Sequence, residues 1–198
     1  MYKILVIAPI LLLGIALPSW GEPSVQVGFS PEGSARVLVL KTIGNAQESI
    51  QMLAYAFQAE DIAQALVDAA KRGVRVQVVI DKRRNLGAAS RKAMDLVVHN
   101  GVALRTNDRF HLHHDKTIIV DGATVETGSF NFAPSAEMTN SENVVVIKGM
   151  PEVSRQYIEH WQSRWDLGEP YPANCAGADS TITAVAEGSY RPIADVNF

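Results

Sequence analysis

The sequence predicts an α/β fold, a mixed, largely parallel β-sheet flanked by helices, and three observations carry that expectation. Two apolar runs of strand length, SIQMLAYAF at 49–57 and VRVQVVI at 74–80, are too uniformly apolar for a sheet with one wet face. The segment between them, AEDIAQALVDAAKRG, has helical periodicity, with acids leading and bases closing. Strand, helix, strand, helix, strand is the order of crossover units.

Each element has its own signal. VQVGFS at 25–30 alternates as a half-buried strand, and Ser30 with Pro31 offers an N-cap and first turn for a helix carrying Ala35, Val37, Leu38 and Leu40. In the next helix Ile62, Leu66 and Ala69 or Ala70 share a face, and Gly73 suits the C-cap. A further helix is expected in NLGAASRKAMDLVVHNG, then a short strand in VALRT. TIIV, ATVETG and NVVVI (143–147) supply more strands, with Asp121 and Gly122 turning between the first two. In PEVSRQYIEHWQSRWDLG, Val153, Tyr157, Trp161 and Trp165 recur every four residues, an aromatic stripe expected in the core and not as a base-stacking surface.

The ends differ in kind. Lys3 precedes the apolar run ILVIAPILLLGIAL, and Ser19 and Gly21 stand at minus-three and minus-one of a cut before Glu22, which reads as a secretory signal peptide over 1–21. An uncleaved anchor is the alternative, for which the run is short. A periplasmic or secreted location is expected, without stable membrane association once the signal is removed. One domain should occupy 22–168, followed by a flexible extension over 169–198 rich in Pro, Gly, Ala and Ser. The one cysteine, Cys175, excludes an intrachain disulfide.

Lys3 is the sole charged residue of 1–21, so the rest of the chain is net acidic and does not advertise a nucleic-acid partner. Yet Lys71 to Lys116 holds 11 basic residues against four acids. That stretch is either a basic face for phosphates or a set of solvated helix ends and loops.

The chemistry concentrates in HHDKTIIVDGATVETGSFN, residues 113–131, present in one copy. His114 and Lys116 are two apart, Asp121 follows, and then come Gly128, Ser129 and Asn131. On a strand, residues 114 and 116 would share a face. Phosphodiester cleavage needs a nucleophile, a proton for the departing oxygen and donors for the charge on the non-bridging oxygens. Imidazole suits the first two tasks. Lys116 and the Asn131 amide suit the third, with the Ser129 hydroxyl as a further donor and Gly128 letting backbone approach the phosphate.

The order and spacing resemble the signature of the phospholipase D superfamily. With HDKTIIVDGATVETGSFNF, NSENVVVI and EHWQSRW, the chain is similar over about 25–168 to the small bacterial endonucleases of that superfamily, which carry one motif per chain. The resemblance implies a phosphodiesterase with no metal or other cofactor, acting on DNA and, as a further candidate, RNA. It also implies that Glu142 orients His114. Asp121 completes the motif's candidate set, but its interval from Lys116 and its place before Gly122 assign it to the turn. Arg109 is a candidate substrate contact.

Entry and exit at phosphorus are roughly in line, and one imidazole cannot stand on both sides. A homodimer that brings two His114 rings together meets the need. Three alternatives stay open: a phospholipase D or phosphatidyl transferase acting on lipids, an idle binding module, and a metal cluster of His111, His113, His114 and Asp115. His99, His111 and His160 are otherwise expected to be structural.

Overall fold

A computed structural model describes residues 22–172, so the expected signal peptide and residues 173–198 of the expected extension lie outside the described residues. The strands are β1 Ser24–Ser30, β2 Ser49–Ala54, β3 Arg75–Asp81, β4 Ala103–Asn107, β5 Lys116–Val120, β6 Thr124–Gly128, β7 Glu142–Lys148 and β8 Glu169–Pro170. The helices are α1 Ser34–Gly44, α2 Glu60–Lys71, α3 Ala88–His99, α4 Pro134–Met138 and α5 Pro151–Asp166.

Together the strands form one mixed sheet, in the order β1-β7-β6-β5-β2-β3-β4-β8, flanked by helices as expected. Parallel pairing is confined to β2–β3 and β3–β4, the strands joined by α2 and α3. The other neighbours are antiparallel, and between β5 and β6 a tight turn reverses the chain without a crossover. Both faces of β2 are covered. Val39, Ile43, Ile62, Leu66 and Val97 from α1, α2 and α3 pack with Ile50, Met52, Val78 and Ile118. On the opposite face Trp161 packs on Leu53, Val79 and Ile119, flanked by Tyr157 and Trp165, so the aromatic stripe of α5 is core. Its indole Nε1 donates to the Met52 carbonyl at 3.3 Å.

Three local expectations are corrected. Ser30 and Pro31 do not open the first helix: β1 continues to Ser30, which pairs with Glu142, and α1 starts at Ser34. Ser34 Oγ instead accepts the Phe29 N–H at 2.8 Å. The burial of β1 is also reversed, because Val25, Val27 and Phe29 stand more than half exposed while Gly28 and Ser30 are buried. A Cβ on Gly28 would lie 2.8 Å from the Ser34 carbonyl carbon, so α1 occupies the space of a side chain on that face. Lastly, residues 169–172 are not part of an extension. Glu169 and Pro170 pair with Thr106 and Arg105, and the Tyr171 hydroxyl donates to Asp95 Oδ1 at 2.9 Å. The unexpected α4 lies between β6 and β7.

Glu126, on β6, is buried in this core with Oε2 unpartnered, and burial pushes its carboxyl up to about 8. Below the ordinary carboxylate range the folded and unfolded chains both hold this proton. As pH rises toward 8 only the unfolded chain releases it, so stability is lost over that window and then levels. Glu126→Gln should remove the dependence. Its advantage over the parent, read from urea midpoints, should grow on the order of a few kcal/mol between pH 5 and pH 8.

Candidate active site

The site lies at the sheet edge where β2, β3, β4 and β6 end and β5 and β7 begin. Two buried side chains assemble it. Asp81, last residue of β3, accepts the Arg84 N–H through Oδ1 at 2.6 Å and the His113 N–H through Oδ2 at 2.9 Å. This ties the DKRRN turn to the HHDK segment. Asn85 donates to the carbonyls of Tyr55 and Asp81, both at 2.7 Å, and its Oδ1 accepts the Phe57 N–H at 2.9 Å. The end of β2 is thereby fixed beside both.

His114 does not share a strand with Lys116, since β5 begins at Lys116 and His114 stands in the irregular stretch before it. The two side chains nevertheless meet. Lys116 Nζ donates to the His114 carbonyl at 2.8 Å and lies 3.3 Å from the ring Nδ1. Lys116 is 7 % exposed, and burial pushes its ammonium below the ordinary lysine value, with Glu142 and Asp115 acting in the opposite direction. The His114 ring itself is exposed. Against it leans Tyr55, ring centroids 4.4 Å apart and tilted by 56°. Lys116 Nζ lies 5.3 Å from the Tyr55 centroid and the Arg84 guanidinium carbon 5.9 Å, so one ring faces three nitrogen-bearing groups.

Gly128, Ser129 and Asn131 follow the end of β6. The side-chain space at Gly128 is taken by backbone: a Cβ there would stand 2.2 Å from the Asn143 carbonyl oxygen. Ser129 donates its N–H to that oxygen at 3.1 Å, and its Oγ accepts the Asn143 N–H at 3.0 Å, leaving the hydroxyl hydrogen to donate. The Asn131 amide oxygen is buried without a partner. Next to it the Phe132 carbonyl accepts from the N–H groups of Gln58 and Ala59, so Asn131 is carried alongside the segment that continues β2. Glu142 does not hydrogen-bond His114. Its Oε1 accepts from Asn140 Nδ2 at 3.0 Å, and it reaches the site through its charge on Lys116.

A cavity of about 530 Å³ opens here, lined by His114, Lys116, Thr127, Gly128, Tyr157 and His160, among others. His160 is therefore not remote from the site: its Nε2 lies 3.0 Å from Asp115 Oδ1. His113 is turned inward and buried, neither ring nitrogen hydrogen-bonded, with Nδ1 3.9 Å from Asp115 Oδ2, and burial lowers its pKa. His111 is exposed and His99 Nδ1 stands 2.7 Å from the Asp95 carbonyl. Among the described residues no cluster of three or more His, Cys, Asp or Glu is placed to hold a metal ion, which removes the alternative of His111, His113, His114 and Asp115.

Two candidates are not brought into this group. Asp121 lies at the opposite sheet edge, where its carboxylate accepts the N–H groups of Gln47, Glu48 and Ser49 at 2.8–3.0 Å and its own φ is 51°. This is a turn anchor. Arg109 is exposed on the loop after β4, on the site edge but outside the cavity lining. Sequence reasoning missed Tyr55, Asp81 and Asn85, named Asp115 only as a metal ligand and held His160 to be structural.

The protein-family model described as "Cardiolipin synthase, PLD-like domain" matches residues 39–165. A phospholipase D of Rickettsia bellii is 36 % identical over 140 residues, 71 % of this chain and 68 % of that protein. The mitochondrial cardiolipin hydrolase of Xenopus tropicalis is 28 % identical over 163 residues, 82 % and 75 % of the two chains. Among solved structures, Nuc from Salmonella typhimurium, a phospholipase D family member, is 59 % identical with a TM-score of 0.75, over 76 % of this chain and 99 % of that one. NucT from Helicobacter pylori shares the fold at 21 % identity, with a TM-score of 0.65 over 76 % of this chain and 100 % of that one.

The close approach at Gly128 yields an expectation. Gly128→Ala should separate β6 from β7, costing about 1–3 kcal/mol in denaturant unfolding. The displacement of Ser129 and Asn131 should lower hydrolysis of bis(p-nitrophenyl) phosphate by about a hundredfold or more.

Proposed function

This chain belongs to the phospholipase D superfamily as a phosphodiesterase-type enzyme, and from that premise we propose that it is a metal-independent endonuclease of low sequence preference. DNA is its substrate and RNA a second polymer within its chemistry. The observation that carries the reading is the exposed His114 imidazole braced by the buried ammonium of Lys116 at 3.3 Å, in a chain with one such pair.

In the proposed reaction an imidazole nitrogen of one His114 attacks phosphorus. The bond from phosphorus to the leaving oxygen breaks, and that oxygen takes a proton from His114 of the partner subunit. The second imidazole, now neutral, removes a proton from water, whose oxygen attacks phosphorus and expels the first histidine. Lys116, the Asn131 amide and the Ser129 hydroxyl hold the non-bridging oxygens. Support for the dimer comes from the reversed burial of β1. Val25, Val27 and Phe29 form an apolar row more than half exposed, and the strand ends at Ser30, paired with Glu142 on the site edge. A second copy seated on that row would lie beside the site. Export to the periplasm or the exterior, through the segment 1–21, completes the proposal.

One observation favours a second reading, hydrolysis or transfer at phospholipid headgroups. Leu86 and Leu112, on loops, and Met138, at the end of α4, are 63 %, 47 % and 66 % exposed on the site edge, where a lipid surface would meet them. The names of the Rickettsia and Xenopus relatives agree with it. No helix among the described residues is long and apolar enough to cross a membrane.

Nicking of plasmid DNA should persist in excess chelator; loss in EDTA with recovery on added zinc would assign the chemistry to a metal. His114→Ala should be inert yet dimeric, and mixing it with the parent chain should give heterodimers with at most a small residual rate. Near-full activity per parental subunit in those heterodimers excludes a shared site. Release of phosphatidic acid from vesicles without DNA cleavage favours the lipid reading.

A further inference from the structure

The basic stretch from Lys71 to Lys116 divides sharply once its side chains are placed. Lys82 pairs with Asp108 and Glu169, Lys92 with Glu60, and Arg83 donates to the carbonyls of Asp108 and Phe110. Arg72, Arg91 and Arg105 donate to the carbonyls of Gly44, Leu86 and Trp165, and Lys116 belongs to the site. Among the described residues this leaves Lys71, Arg75, Arg84 and Arg109 without an acceptor for their side chains. Lys71 and Arg75 close α2 and open β3, at the sheet edge away from the site. Arg84 and Arg109 lie on the site edge, and Arg84 alone of the four touches the site, through Tyr55.

We propose that Arg84 binds the phosphate next to the one being cut, making the site a reader of two successive phosphodiesters of one strand. The inference rests on the endonuclease reading above. The Arg84 backbone is fixed by the Asp81 bond at 2.6 Å, so the exposed guanidinium starts from a rigid base. Its carbon lies 5.9 Å from the Tyr55 centroid and that ring 4.4 Å from the His114 ring. Arg84 is thus at most those two separations, laid end to end, from the reacting imidazole. That is the reach of one or two phosphate spacings along a nucleotide strand. With no acceptor of its own and a planar fork of donors, it suits a phosphate oxygen pair. Contacts of this kind carry no base information, in keeping with low sequence preference.

The test compares a dinucleoside monophosphate, which has only the scissile phosphate, with a hexanucleotide. Arg84→Gln should raise KM for the hexanucleotide about tenfold and make the fall of its kcat/KM with salt shallower by about one counterion. The dinucleotide should lose far less, and Arg84→Lys should restore part of the hexanucleotide rate. Equal losses on both substrates overturn the inference alone, since they place Arg84 on the scissile phosphate or in the fold. A parent enzyme that cuts neither nucleotide but hydrolyses phosphatidylcholine vesicles overturns the endonuclease reading, and the inference with it.

Discussion

Lys116 takes a charge into the first position of a strand whose every residue is buried, and much of the local architecture answers the cost of desolvating that ammonium. Its Nζ is satisfied by the His114 carbonyl, which fixes the irregular stretch before β5 in a path that presents the imidazole outward. Tyr55 adds a ring face, and the charges of Glu142 and Asp115 favour the ammonium against its desolvation. Because the cation is held by backbone and by long-range charge, its remaining donors face a space that an anion can enter. β2 and β5 are neighbours with Ala54 opposite Lys116, and this register brings Tyr55, the residue after β2, to the pair.

Legibility followed the range of the interaction. The apolar runs at 49–57 and 74–80 announced β2 and β3 because burial on both faces leaves a one-dimensional mark. The four-residue recurrence in α5 likewise announced the placement of Trp161. His114, Lys116, Ser129 and Asn131 stood out through spacing. Tyr55 did not, since it sits inside the apolar run 49–57, one residue past the end of β2, and acquires a role only when the antiparallel pairing of β2 with β5 places it beside His114. Asp81 carried no signal and Asn85 stood at the head of an expected helix, yet both are buried bracing groups. The two-residue β8 is below any periodic signal, and the start of α1 was masked because Ser-Pro suits a strand end as well as a helix start.

Charge placement was the least legible property. A surplus of bases over 46 residues reads as a surface in one dimension, yet most of those groups are spent on carbonyls and carboxylates that join loops. Arg83, which secures the carbonyls at 108 and 110 beneath the motif, is a structural brace with the composition of a substrate contact. Exposed pairs such as Lys92 with Glu60 add little stability by themselves. The bonds to buried or backbone partners, Asp81 and Asn85 above all, set the geometry.

The mutual bonds of Ser129 and Asn143 clamp both ends of the excursion between β6 and β7, and the Phe132 carbonyl fastens its first residues to the strand-to-helix turn at 58–59. Between those ends Ala136 is buried in the main core, Glu137 faces Arg36 at 3.6 Å and the Asn140 carbonyl accepts the Ser30 hydroxyl at 3.3 Å, so 133–141 is sewn to β1 and α1 along its length. A change of length there is felt at the edge strand as well as at Ser129 and Asn131, which ties the outline of the rim to the reaction centre.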